Sequence, residues 1–220
     1  MKQPDEIEAE LQRSLSLPLP AEEAHRRLLP PGRPLHPPDC VRYRPAAVLV
    51  PLYREADALH TLLIVRPATM SRHGGEVAFP GGLREGSDAS PVQTALRETE
   101  EELGLDPASV HVVGLLSEVC IPPSRLRVRP VVGWMRALPP LHPNPTEVAQ
   151  VLKVPLSSFR AKAPLRRWRP PTWDRAVACF AVHGLCVWGA TAMMLSELMA
   201  VVDGVESKIA RRTGQTVYGE

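Results

Sequence analysis

The chain has 220 residues, 44% of them hydrophobic, and a formal net charge of +2 with acids and bases well mixed along its length. That length suits one domain with terminal additions and is enough to bury a real core. The charge balance argues against a nucleic-acid partner or a membrane surface, and no apolar run reaches the roughly 18 residues that a membrane-spanning helix needs.

Proline stands out, with 25 residues against a usual share of roughly 5%. Many cluster between Leu17 and Pro38 and again between Pro139 and Pro145, and they read as extended linkers and rigid loops. The polar, acidic N-terminus does not read as a secretory signal, and a cytoplasmic protein is expected. Residues 4–29 suggest one or two short helices. With the proline stretch they make up an N-terminal extension, 1–40. The globular domain is expected over 41–205 and a tail over 206–220. Four cysteines (Cys40, Cys120, Cys179, Cys186) form no C-x-x-C pair, which argues against zinc, and their scatter suggests reduced thiols while leaving disulfides open.

Ala46–Leu52 and Thr61–Arg66 read as buried strands, joined into a hairpin by a polar turn over Tyr53–Asp57. A loop with Gly74-Gly75 follows, then a short strand over Glu76–Phe79 and a tight turn at Pro80-Gly81-Gly82. The clearest helix begins at Ser90-Pro91, with Ser90 as N-cap and Pro91 in the first helical position. Val92, Ala95, Leu96, Thr99 and Leu103 recur at helical spacing and should face the core, and Gly104 supplies a left-handed stop. Val110–Leu116 and Val128–Met135 read as strands. Glu147–Val154 fits either a strand or a short helix. Val177–Val182 and Leu185–Trp188 flank a His183-Gly184 turn, and Ala190–Val202 is an apolar helix. Strands mixed with a central and a C-terminal helix point to an α/β layered fold.

The chemistry-bearing feature is on the central helix. Glu98, Glu101 and Glu102 stand at i, i+3 and i+4, so they share one side of it. Crowded carboxylates cost helix stability, and a hard cation such as Mg²⁺, which takes oxygen ligands, would relieve that cost. Arg97 is placed to pair with one of them, and the Gly81-Gly82 turn just upstream lets backbone approach a metal or phosphate closely.

Here the chain resembles the Nudix family. The family pattern is a glycine, five residues, an acid, seven residues, then Arg-Glu-apolar-any-Glu-Glu-any-Gly-apolar. Arg97 to Leu105 fits the second half, with Thr99 at the apolar position. Upstream, Gly82 is followed after five residues by Asp88, and eight residues then precede Arg97. The stretch Leu62–Arg66, then Arg72–Gly82, is similar to the signature of coenzyme A diphosphatases, as is the longer Asp-containing spacing. So are Asn144–Val148 and Val187–Ala192. Two positions depart from that signature: Pro67 stands where a small residue is usual, and Ser71 where a basic one is.

The resemblance implies an α/β/α sandwich with a mixed sheet and a Mg²⁺- or Mn²⁺-dependent diphosphatase. It would split coenzyme A into 4′-phosphopantetheine and adenosine 3′,5′-bisphosphate. Metal ligands would be Glu98, Glu101, Glu102 and the carbonyl of Gly82. Glu101 or Glu147 would be the general base, with Arg97 in the catalytic set. Arg66, Arg72 and Gly81 would contact substrate. The partner implied is a small nucleotide-like molecule, and the proline-rich segment leaves a homodimer open. Two other readings stand beside this one: a Nudix enzyme for ADP-ribose, NADH or a dinucleotide, and a non-catalytic Nudix-fold module.

Overall fold

The computed structural model describes residues 5–36, 42–70, 73–171 and 174–213. Strand β1 (Arg44–Glu55) is its axis. Leu49, Val50 and Leu52 are fully buried on it, the signature of a strand covered on both faces. It pairs antiparallel with β2 (Ala58–Val65) through a two-residue turn. Ala56 and Asp57 both adopt positive φ, 46° and 64°, as a type I′ hairpin turn requires. The expected turn over Tyr53–Asp57 is thus shorter than its polar composition suggested. Tyr53 is a strand residue, 1% exposed.

On its other side β1 runs parallel to β7 (Leu126–Met135), in register from Arg44↔Leu126 to Tyr53↔Met135. The sheet continues antiparallel to β5 (His111–Leu115). Short strands β3 (Val77–Ala78) and β6 (Val119–Ile121) extend β2 and β7, and β8 (Gln150–Pro155) pairs with β2. The segment expected over Glu147–Val154 as strand or helix is therefore a turn followed by a strand. Pro80-Gly81-Gly82 is no isolated turn either: β4 (Gly81–Leu83) pairs antiparallel with β1 at Ala46–Val48.

The alternation along β1 divides two cores. Ala47, Leu49 and Tyr53 pack toward α3 (Pro91–Leu103) with Ala95 and Leu103. Ala46, Val50 and Leu52 belong to the opposite core, which α4 (Gly189–Thr213) fills with Leu195, Leu198, Met199 and Val202. The result is a mixed sheet between helical layers. A hairpin of β10 (Val177–Val182) and β11 (Leu185–Val187), with β9 (Leu165–Trp168), adds a second small sheet on the α4 side. β6 and β9 were not foreseen from the sequence. Cys179 and Cys186 are bonded across that hairpin, with Cα atoms 5.5 Å apart, and Cys120 is free. The scatter of cysteines had suggested reduced thiols. A seven-residue separation around a tight hairpin turn is what brings the two together. Cys40 lies outside the described residues.

Helices α1 (Glu6–Leu15) and α2 (Ala21–Arg26) join the α4 layer, where Leu11 and Leu28 are buried. A buried acid locks α2 and the β5–β6 connection to α4. Glu197, 0% exposed, accepts from Ser117 Oγ at 2.5 Å and Ser117 N at 3.1 Å, and His25 Nε2 lies 3.2 Å away. Among the described residues, no helix is long and apolar enough to cross a membrane.

Removing Glu197 would strand those buried donors. Glu197→Ala is expected to destabilise the fold by about 3 kcal/mol, a fall in Tm of roughly 10 °C for a chain of this size. Thermal unfolding followed by circular dichroism measures it, and an unchanged Tm would mean that the network contributes nothing.

Candidate active site

The site is built from α3 outward. Ser90 caps the helix by accepting from Gln93 N at 3.3 Å, and Pro91 opens its first turn. Gly104 closes it in the left-handed conformation, φ 63°. Ala95, Thr99 and Leu103 are buried against the sheet. Thr99 is tolerated there because its hydroxyl donates to the Ala95 carbonyl at 2.7 Å, the usual way a helix satisfies a buried threonine. The helix therefore docks by its apolar stripe, and that leaves the acidic side turned toward β4.

β4 is shaped to receive it. Gly81 has φ +145°, and a Cβ there would lie 2.3 Å from the Ala47 carbonyl oxygen. At Gly82 a Cβ would lie 2.4 Å from Glu98 Oε2. Gly81 is thus required by space, because backbone blocks a Cβ there, whereas at Gly82 a Cβ would displace the end of the Glu98 side chain, and the bare backbone lets that carboxylate press onto β4. Glu102 is 2% exposed, accepts from Gly81 N at 2.8 Å, and faces Arg66 Nη1 at 3.6 Å. Burial pushes the Glu102 carboxyl up to about 7; the Gly81 N–H and Arg66 oppose that shift, and Glu98 and Glu147 add to it. Burial likewise raises Glu98, Arg97 counters it, and Glu101 and Glu147 reinforce it. The structure therefore brings Glu147, from the loop before β8, into the electrostatic field of Glu98 and Glu102.

Arg97 organises the approach to this cluster. Its guanidinium makes a two-pronged pair with Asp88, Nε to Oδ1 at 3.1 Å and Nη2 to Oδ2 at 3.0 Å. It also donates to Leu83 O at 3.0 Å, Glu98 Oε1 at 3.1 Å and Glu101 Oε2 at 3.0 Å. Asp88 is 5% exposed and further accepts from Glu85 N at 2.9 Å and Thr94 Oγ1 at 3.0 Å. The Arg97 guanidinium, with these other donors, holds the Asp88 carboxyl well below the usual carboxylate range, and Asp88 holds Arg97 in its charged form. Asp88 thus meets Arg97 from one residue earlier than the family spacing, because the loop 84–90 curls back: Arg84 clamps the Asp88 carbonyl through Nε and Nη2, at 3.0 and 2.9 Å.

Glu101 is placed differently from its neighbours. Its side chain is 52% exposed and turned onto Arg97. Arg66 is within reach of Glu102, and among the described residues its buried Nε has no hydrogen-bond partner. Arg72 lies outside the described residues. His73 forms a local pair with Glu76 at 2.9 Å. Asn144, unassigned from sequence, donates from Nδ2 to Glu147 Oε1 at 3.2 Å. Its only sequence signal was membership in the Asn144–Val148 motif.

The donor set suits a hard divalent cation: buried carboxylate oxygens crowded on a glycine strand, each raising the other's affinity for positive charge. Among the described residues no three His, Cys, Asp or Glu side chains are gathered tightly enough to hold an ion as they stand. Two of the carboxylates are instead engaged by Arg97.

Comparison with known proteins gives a consistent picture. The NUDIX domain model matches residues 42–172. An uncharacterized Nudix hydrolase NudL of Pectobacterium atrosepticum is 38% identical over 181 residues, covering 77% of this chain and 86% of that protein. Nudix hydrolase 22, chloroplastic, of Arabidopsis thaliana is 40% identical over 174 residues, covering 74% of this chain and 57% of that protein. The crystal structure of a Nudix hydrolase from M. smegmatis, RenU, superposes with a TM-score of 0.54 at 21% identity, over 80% of this chain and 94% of that one. At that identity the likeness speaks for the fold.

The Asp88–Arg97 pair carries a pH signature. A carboxyl held low in the folded state and near 3.9 in the unfolded chain stabilises the fold above about pH 4, and that contribution is lost as pH falls below it. The Tm difference between the native protein and Asp88→Asn should therefore be full at pH 6 to 7, shrink below about pH 4, and vanish at lower pH. A difference constant down to about pH 2 would show that the Asp88 charge is not what the loop depends on.

Proposed function

The chain belongs to the Nudix family and is a diphosphatase-type hydrolase, and from that premise we propose that its substrate is coenzyme A or a coenzyme A derivative. Nudix hydrolases generally use divalent metal ions such as Mg²⁺. The observation that carries the reading is the convergence at β4. Glu98 presses onto Gly82, Glu102 is held by Gly81 N–H, and Glu147 bears on both. The substrate assignment rests on the Leu62–Arg66 and Arg72–Gly82 stretches and the Asp88 spacing. In this reading residues 41–205 form the hydrolase domain.

A diphosphate is an anion that repels hydroxide, so its hydrolysis needs charge neutralisation, an activated water and a stabilised leaving group. A bound Mg²⁺ or Mn²⁺ supplies Lewis acidity and orients the phosphates. Glu98 and Glu102 are the first candidates to hold it, with the Gly82 carbonyl and, once released by Arg97, Glu101. Glu147 is the better candidate for the base. It is held by a neutral amide, whereas Glu101 is ion-paired with Arg97, a pair that taking up a proton would break. Arg97 has its donors committed to protein acceptors, so its part is to position carboxylates. Arg66 and Arg72 are proposed to meet substrate phosphates, as guanidinium groups do. That Arg66 Nε has no partner among the described residues is consistent with that.

With Mg²⁺ and a panel of coenzyme A, acetyl-coenzyme A, ADP-ribose, NADH and dinucleoside polyphosphates, the coenzyme A species should be cleaved to 4′-phosphopantetheine and adenosine 3′,5′-bisphosphate. Product identification by mass spectrometry decides it, and turnover of ADP-ribose with none of any coenzyme A species would overturn the substrate. Chelation should abolish activity, and added Mg²⁺ or Mn²⁺ should restore it. Glu102→Gln keeps shape and removes charge, and should lower kcat by roughly 100-fold or more. Activity near that of the native protein would refute Glu102 as a metal ligand.

A further inference from the structure

We propose that Asn144 is a positioning residue for the reaction, holding the Glu147 carboxylate in register with the acidic side of α3. This rests on the reading of Glu147 as the base. The segment before β8 is docked on the C-terminal end of α3. His142 N donates to Leu103 O at 2.7 Å and Asn144 N to Glu102 O at 2.9 Å, so two of the helix's terminal carbonyls are satisfied from this loop. The backbone of Asn144 is thereby referenced to Glu102 itself. Its own carbonyl accepts from Glu147 N at 3.0 Å and Val148 N at 2.8 Å, which closes the turn that carries Glu147.

The side chain is committed in only one way. Oδ1 accepts from Thr146 N at 3.1 Å and from Thr146 Oγ1 at 2.7 Å. A backbone N–H can only donate, so the amide oxygen must face Thr146, and the amide cannot be flipped. That leaves Nδ2 facing Glu147 Oε1, at 3.2 Å. Among the described residues Glu147 has no other side-chain partner. One neutral donor therefore fixes the direction of the carboxylate and leaves its charge unquenched. A lysine or arginine in the same place would orient it but also neutralise it. The chain Glu102 carbonyl, Asn144 backbone, Asn144 amide, Glu147 carboxylate thus ties the proposed base to the helix that carries the proposed metal ligands.

The test is a double-mutant cycle in the full-length protein with Mg²⁺ and coenzyme A, or whichever diphosphate of the panel is turned over. It uses Asn144→Ala, Glu147→Gln and the pair. Asn144→Ala alone should lower kcat roughly 10- to 100-fold, the scale of a misplaced catalytic group, with KM changed by no more than about twofold. In the Glu147→Gln background the same substitution should cost almost nothing, because there is no longer a base to place. Asn144→Asp keeps the acceptor for Thr146 and loses the donor. It should show the same dependence on the Glu147 background and retain a Tm close to that of the native protein even where Asn144→Ala does not. Equal kcat losses in both backgrounds, for both substitutions, would overturn the positioning role and leave only a structural one. A Glu147→Gln variant with unchanged kcat would instead overturn the reading of Glu147, and this inference with it.

Discussion

The Arg97–Asp88 pair is the contact on which the rest of the site's arrangement hangs. A guanidinium and a carboxylate matched in two parallel hydrogen bonds form one of the stiffest polar contacts available to a protein. Here the carboxylate is also held by Glu85 N and Thr94 Oγ1, so each of its oxygens is used. The pair closes the loop between β4 and α3 onto the helix. Because Arg97 also reaches Leu83 O, it fixes how β4 sits against α3. The Glu98 carboxylate lies against Gly82 where a Cβ would displace it, and that seat depends on strand and helix being held at a defined separation. Arg97 holds it from one side, and the packing of Ala95, Thr99 and Leu103 holds it from the other.

The sheet supplies the second constraint. β1 is parallel to β7 and antiparallel to both β2 and β4. A strand buried on both faces and paired on both edges has no freedom to shift register without moving its apolar residues to the wrong side. The register Ala47↔Gly82 is therefore as firm as the core itself. The acidic cluster inherits that firmness through the glycines, and the destabilising burial of Glu98 and Glu102 is tolerated because well-packed cores on both faces outweigh it. Glu197 does comparable work in the opposite layer, where a buried carboxylate is fully satisfied by Ser117 and His25. The acids against β4 differ in kind: burial leaves them with raised affinity for positive charge, and the Arg66 guanidinium, 3.6 Å from Glu102, offsets that only in part.

What could be read from the sequence was what is encoded locally. Ser90-Pro91 and Gly104 mark the ends of α3 through their own backbone preferences, and the β1–β2 and β10–β11 hairpins follow from short apolar runs around short turns. β4 was not legible, because Pro80-Gly81-Gly82 has turn chemistry and becomes a strand only through a partner far earlier in the chain. β8 was ambiguous for a similar reason: Val148, Val151 and Val154 fit a helical spacing, and pairing with β2 decides for a strand. Asp88 was seen as the acid out of place, but the curl of the loop that brings it to Arg97 depends on Arg84 folding back on the Asp88 carbonyl, which no spacing rule contains. Asn144 was visible as a letter in a motif. Its function as an amide with one forced orientation needs the hydroxyl and N–H of Thr146 in place.

The carboxylates of α3 show how far helical spacing carries and where it stops. At about 3.6 residues per turn, Glu98 and Glu102 lie roughly 40° apart around the axis, Glu98 and Glu101 roughly 60°, and Glu101 and Glu102 roughly 100°. An i, i+3, i+4 set is therefore an arc with Glu98 in the middle, and its two ends can meet different surroundings. Here the arc is split in that way. Glu102 turns into the β4 backbone and is buried, Glu101 turns out along Arg97 and is half exposed, and Glu98 touches both environments. A third oxygen donor on the β4 side must then come either from Glu101 leaving Arg97 or from a group outside the helix, and Glu147 is the acid whose charge already falls on Glu98 and Glu102 together.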